Sequence, residues 1–414
     1  MNWIDRNSTR IVISGIIISL VMGAAIAIHA GSVLRYPDER EWTQLAANLA
    51  RKHTYTLDGI HATAIRPPGY PCLLALSVAI GIGNTGLRLV NLSMFLLSEV
   101  LLVMLARRLF SRCAAAISIL LVLFYPVLAY VATLLLPQTF GAALLLLGIW
   151  LLIRVETPSA WSIILAGLAW GLLILTIPTF IFVLVCCVAW LLWKRRDFRR
   201  KVFPLAAPLI LLVGAWTARN YVEFHTFFFV ASSSGMNLLI GNSENSTMAS
   251  GAYTDLNRYV TAASGMSEVE ADKYYKASAV AWIKENPGTA LRLYVLKFIE
   301  YFSFTERIVT GNFATKAEQP FWRSLIMLFT YEPLLFLLIA RIAVARRYPL
   351  SEVEILLAGL YFLNALFAAV FFTRIRYRLP MDWILLLLDA GTIQIIFSRL
   401  FSSRAILDKE VGAI

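Results

Sequence analysis

Asp38 and Glu39 follow Tyr36-Pro37 shortly past the long apolar stretch 11–30. An acidic pair there sits level with the phosphate headgroups of a lipid leaflet. A carboxylate that is partly desolvated and within hydrogen-bond reach can take the proton of an acceptor hydroxyl. Asp is also a favoured helix N-cap, so Asp38 is equally suited to start a helix along the membrane surface, and the two roles are compatible. Further on comes Ile65-Arg66-Pro67-Pro68-Gly69-Tyr70-Pro71, and near the far end Arg374, Arg376 and Arg378 alternate around Tyr377. In an extended segment that alternation points the guanidiniums one way, and guanidinium groups grip phosphate bidentately. The competing reading is an anchor for lipid headgroups. Arg66, Arg88 and Arg219 can join such a cluster, although each alone reads first as a snorkelling side chain.

Other ionisable residues carry weaker signals. His53 and His61 share the loop with Asp38, but nothing beside them has the paired spacing of a metal site. No metal ligand is assigned, and a divalent ion stays an open option rather than an implied cofactor. Glu99, Glu332 and Asp389 fall inside apolar runs, where a charge is costly and is functional, paired or protonated. Cys72, Cys113, Cys186 and Cys187 lie in or beside apolar stretches and read as packing.

Membrane helices must position these groups. The 414 residues are 59% hydrophobic and 15% charged, against about 25% charged in soluble domains, and the mean hydropathy is +0.72. About ten spans are expected, at 11–30, 87–106, 113–132, 138–153, 160–177, 179–193, 202–218, 324–340, 353–372 and 379–398. The first is a retained span, because no cleavage site follows it. With a cytoplasmic N-terminus, the positive-inside rule puts Arg107-Arg108, Arg154, the basic run 194–201 and the other short clusters inside. Only Arg374, Arg376 and Arg378 fall outside. The net charge of +12 then follows from topology, and no nucleic-acid partner is expected.

A crossing at 67–83 would invert that charge map, so this segment is read as a helix that dips into the outer leaflet and returns. Trp42, Leu45, Ala46 and Leu49 share one face of a helix from Asp38 to Lys52, as in an interfacial amphipathic helix. The chain divides into a transmembrane module, 1–218, with a first outside loop at 31–86, an outside region, 219–323, and C-terminal transmembrane helices, 324–414. The first third of 219–323 is rich in turn formers and is expected to be irregular or short-stranded. Helices are expected from Ser267 to Glu285, where Ser267 and Glu270 form a capping box, and from Pro287 to Phe304.

The order of several pieces resembles the GT-C superfamily of membrane glycosyltransferases, in the branch of dolichyl-phosphate-mannose protein mannosyltransferases and lipid A aminoarabinose transferases. The pieces are Asp38-Glu39, the Arg66-to-Pro71 turn, Ala106-Arg107-Arg108-Leu109-Phe110, and Gly214-Ala215-Trp216-Thr217-Ala218-Arg219-Asn220-Tyr221. Gly235-Met236-Asn237-Leu238-Leu239-Ile240-Gly241-Asn242 and Arg376-Tyr377-Arg378-Leu379-Pro380 complete the set. The resemblance implies an all-α polytopic fold with outward-facing interfacial helices. It further implies a monosaccharide donor on a polyprenyl phosphate and inverting transfer to an acceptor hydroxyl at the outer face. Asp38 takes the role of general base with Glu39 as a supporting carboxylate. Arg66, Arg219, Arg376 and Arg378 would hold the lipid phosphate, with Tyr70, Gln138, Asn242 and Tyr377 as further substrate-binding residues.

Two departures reduce the charge at the site. Gln138 stands where relatives often carry an acid, and Thr176-Ile177-Pro178 lacks an arginine before its proline. Gln138 can hydrogen-bond a sugar but cannot act as a base, which leaves metal dependence open. The expected partners are the prenyl donor, membrane lipids, and a lipid, polysaccharide or protein acceptor of the cell envelope. The expected place is a bacterial inner membrane with both termini cytoplasmic. A secondary transporter or lipid flippase is the rival from another class, set against by the long outside loops and the absence of visible repeats. A non-catalytic scaffold that has kept the fold is the third reading.

Overall fold

In lipid every backbone N–H and C=O must find its partner within the segment, so the apolar runs become helices. The computed structural model describes residues 2–153, 159–251, 254–304 and 321–411, with no side-chain description beyond 398. Arg154 of the charge map and 305–320 of the outside region lie outside the described residues. The helices are α1 (Asn2–Ala30), α2 (Pro37–Lys52), α3 (Gly69–Ala79), α4 (Asn84–Leu109), α5 (Arg112–Phe124), α6 (Pro126–Ala132), α7 (Gln138–Ile153), α8 (Ala160–Thr176) and α9 (Phe180–Lys194). After a 3-10 turn come α10 (Val202–Phe224), α11 (Ser234–Gly241), α12 (Asn257–Ala262), α13 (Glu268–Glu285) and α14 (Pro287–Glu300). The last are α15 (Phe321–Thr330), α16 (Glu332–Ala343), α17 (Glu352–Val370) and α18 (Ile375–Val411).

Among the described residues, six spans are long and apolar enough to cross a membrane, or seven when α5 and α6, bent by 70°, count as one. The shorter apolar helices α7, α8 and α9 bring the total near the expected ten, so that number is approximate. Helix α3 has 11 residues, about 16 Å of rise, roughly half a hydrocarbon core. Its Gly69 lets it lie against the end of α8, since a Cβ there would come within 2.4 Å of the Thr176 hydroxyl. The amphipathic helix α2 buries Trp42, Leu45 and Ala46 in a small apolar cluster with Tyr70, Leu74 and Leu134–Leu136.

The region after α10 departs from expectation. No strand forms among the described residues, apart from an isolated bridge between Thr56 and Ala62. The turn-rich stretch instead contains α11, whose N-terminus is held from a distance. Asp272 of α13 accepts from the backbone N–H groups of Gly235 at 2.6 Å and Met236 at 3.2 Å. A cap supplied by another helix leaves no mark in the local sequence, which is why propensity alone misses this element. Ser267 and Glu270 do form their capping box at the start of α13.

Helix α18 packs against α4, α5, α7, α16 and α17. A charged group this deep must be paired and hydrogen-bonded. Arg378 meets that demand through Asp382 at 3.3 Å, the carbonyls of Tyr301 and Ser303, and the Tyr331 ring, 3.4 Å below its guanidinium. The hydroxyls of Tyr125 and Tyr361 donate to the same Asp382 carboxyl. Glu99 accepts from Ser19 across α4 and α1, Glu332 opens α16 at the break after α15, and Asp389 is buried on α18.

Candidate active site

The start of α2 sets the geometry. Glu39 folds back and accepts from the backbone N–H groups of Arg35 at 2.8 Å and Tyr36 at 3.2 Å, so Glu39 rather than Asp38 caps the helix. Its other oxygen takes Arg88 at 2.8 Å and the Leu135 N–H at 3.1 Å. Both side chains are fully buried, and Arg88 also donates to the carbonyls of Gly31, Val33 and Thr133. The pair ties three segments together: the loop before α2, helix α4, and the stretch after α6. Glu39, implied by the resemblance as a supporting carboxylate, and Arg88 thus pair with each other outside the cavity wall.

Asp38, one residue earlier, points elsewhere. Its Oδ1 accepts from Arg66 Nη2 at 2.6 Å and its Oδ2 from Arg376 Nη1. Arg66 also binds Glu41 through Nε at 2.7 Å and lies over the Trp42 ring at 5.3 Å. Arg376 donates to the Tyr377 hydroxyl at 3.2 Å. Burial pushes the Asp38 carboxyl up, but Arg376 and then Arg66 outweigh it and hold the pKa at about 2. Asp38 is ionised at any physiological pH.

Beside this cluster opens a cavity of about 630 Å³. Arg66, Gln138, Arg376 and Tyr377 stand in its wall, with Phe227–Phe229, Phe371 and Phe372 forming an aromatic side. Asp38 is not part of the wall; the two arginines bonded to it are. Gln138 opens α7, and its buried Oε1 has no hydrogen-bond partner among the described residues, an acceptor suited to a sugar hydroxyl.

Four other expected residues lie away from the cavity. Tyr70 is buried edge-on to Trp42 at 5.8 Å. Arg219 donates to the Thr63 carbonyl at 3.0 Å and stacks over Trp216 and Tyr55, holding the loop that precedes Arg66. Asn242 donates to the Val370 carbonyl at 2.9 Å and accepts from the buried Lys297 at 3.3 Å. Arg378 points into the bundle. The three C-terminal arginines do not share a face because α18 already begins at Ile375, and in a helix residues two apart diverge by about 200°. Arg374 donates to the Ala249 carbonyl.

Two lysines escaped the sequence reading. Lys273 and Lys276 of α13 are exposed and face the same cavity. Their spacing of three on an expected helix was a usable signal, since such residues are neighbours on one face. Glu268 left no such signal. It accepts from Thr63 Oγ1 at 2.6 Å, the Ala64 N–H at 2.9 Å and the Ser232 hydroxyl, fixing α13 over the segment that carries Arg66. His61 pairs with Asp58 at an exposed turn, and among the described residues no three potential metal ligands converge.

An anion site set beside aromatic walls, at the rim of a membrane bundle, suits a molecule with a charged head and an apolar tail. Residues 65–217 match the family described as dolichyl-phosphate-mannose-protein mannosyltransferase. No curated protein matches the sequence. Among solved structures, the Archaeoglobus fulgidus oligosaccharyltransferase tethered with an acceptor peptide containing the NVT sequon aligns with a TM-score of 0.54 at 14% identity. The alignment covers 98% of this chain and 51% of that one, so the chain spans about half its length. ArnT from Cupriavidus metallidurans bound to undecaprenyl phosphate aligns with a TM-score of 0.46 at 15% identity, over 91% of this chain and 77% of that one. Over 65–217 the chain is thus similar to that mannosyltransferase family, and over its whole length its fold is similar to that of the oligosaccharyltransferase.

Proposed function

We propose that the chain transfers a monosaccharide from a polyprenyl phosphate to an acceptor hydroxyl, with inversion, at the outward face of a bacterial inner membrane. The observation that carries this reading is the Asp38 carboxylate held between two arginines that both enter the cavity wall. The phosphate of the donor lies against Arg66 and Arg376, and its chain leaves along the phenylalanine side towards lipid. The acceptor oxygen attacks the anomeric carbon from the face opposite the phosphate while Asp38 takes its proton. The bond to the phosphate oxygen breaks with its electron pair, and the charge that develops there needs cations rather than an acid. The acceptor is a lipid, a polysaccharide or a protein, and no step requires a metal ligand from this chain.

Proteoliposomes supplied with a radiolabelled polyprenyl-phosphate sugar and envelope acceptors test this. The expected result is a labelled glycosyl product with one polyprenyl phosphate released per transfer. Donor moved across the bilayer intact, with no glycosyl product, would sink the reading in favour of a flippase. Replacing Lys273 and Lys276 together by alanine should raise the donor KM about tenfold at low salt, because exposed cations each contribute at most about 1 kcal/mol. The effect should fade as ionic strength rises. An unchanged KM at low salt would remove the lysines from the donor site.

A further inference from the structure

The same two guanidiniums hold the carboxylate and face the cavity. We propose that the donor phosphate and Asp38 compete for this one pair of cations, so that the base stays masked until the donor arrives. The inference rests on the glycosyltransferase reading above and adds an order of events to it.

Three observations lead here. Each oxygen of Asp38 already accepts a charge-assisted bond, one from Arg66 at 2.6 Å and one from Arg376. A carboxylate so engaged is at its least basic, and proton transfer to it is correspondingly poor. Next, the cavity wall contains Arg66 and Arg376 but not Asp38. An anion entering the cavity meets the guanidiniums first, and the N–H groups that fit phosphate are the ones now turned to the carboxylate.

The third observation concerns what holds the arginines. Arg66 is fixed independently through Nε to Glu41 at 2.7 Å and by its stacking on Trp42. Arg376 keeps the Tyr377 hydroxyl. Arg66 can therefore change partner at Nη2, and Arg376 at Nη1, without leaving its place. Charge also balances. Arg66, Arg376, Lys273 and Lys276 face Asp38, Glu41 and Asp272 in and around the cavity, a surplus of one cation, which a singly charged phosphodiester neutralises. Asp272 is itself committed to the cap of α11.

The test uses a polyprenyl monophosphate without sugar, which binds but cannot react. Its Kd is measured on full-length protein in nanodiscs for wild type, Asp38→Asn, Asp38→Ala and Arg376→Gln, each checked for an unaltered thermal transition. Competition predicts that both Asp38 variants bind roughly tenfold more tightly than wild type, and that Arg376→Gln binds roughly tenfold more weakly. Unchanged or weaker binding by the folded Asp38 variants overturns the proposal and leaves the glycosyltransferase reading standing. Absence of binding to the wild type removes both. An infrared difference spectrum of the wild type gives a second readout that needs no variant to bind. The lipid phosphate should shift a carboxylate stretching band that Asp38→Asn lacks, and a spectrum without such a shift counts against the exchange.

Discussion

Asp38→Asn should lower the rate of sugar transfer by about 10²- to 10⁴-fold, the usual range for loss of a general base. The amide is nearly isosteric and offers one oxygen to a guanidinium, while Arg66 keeps Glu41 and Arg376 keeps the Tyr377 hydroxyl, so the cavity keeps its shape. What disappears is the lone pair that accepts the proton. The loss should therefore fall on kcat, with no rise in the donor KM, when initial rates are followed in proteoliposomes across donor concentrations. Asp38→Glu should recover part of the rate, because it keeps the carboxylate but displaces it by one methylene. An Asp38→Asn protein that transfers sugar at a third of the wild-type rate or more would exclude Asp38 as the base.

Arg88→Met should cost about 3–5 kcal/mol of stability, because it leaves the Glu39 carboxylate buried without its cation. The neighbourhood offers no replacement. Both groups are fully buried, and the remaining donors to Glu39 are the backbone N–H groups of Arg35, Tyr36 and Leu135. Adding Glu39→Gln to Arg88→Met should restore only part of the loss. The carbonyls of Gly31, Val33 and Thr133 would still lack the donor that Arg88 supplies. Thermal transitions of the purified variants measure both effects. Activity should fall with stability, since the residue that Glu39 positions in sequence is Asp38. A single variant as stable as wild type would mean that water reaches this pair.

The run of membrane-spanning helices was legible in the sequence because hydropathy is a chain-wide signal. The interfacial helix α2 was legible too, through the spacing of Trp42, Leu45 and Ala46. The site was legible only in part. Asp38, Arg66, Gln138, Arg376 and Tyr377 come together, although they lie in separate segments of the chain. Glu39 looked like its neighbour, and only the fold distinguishes a carboxylate turned back on its own helix from one turned to a cavity. Arg376 and Arg378 looked equivalent under an extended backbone; the onset of α18 at Ile375 sends one to Asp38 and the other to Asp382. Helix α11 depends on Asp272 from a helix later in the chain, a dependence no local window contains. The lysines of α13 carried a helical spacing, but nothing in the sequence said which surface that helix covers.

The proposed sharing of one cation pair by carboxylate and lipid head bears on how the proposed cycle closes. Transfer converts a phosphodiester into a monoester, whose second ionisation falls near pH 6. The spent carrier thus leaves the cavity with more negative charge than the donor brought in, and the arginines hold it harder. Departure of the carrier then becomes a step that needs help of its own. Asp38, once it has passed its proton to water, is the group placed to reclaim Arg66 and Arg376 and eject the carrier into the leaflet. The ion pair of the resting protein is in that sense the stroke that resets it.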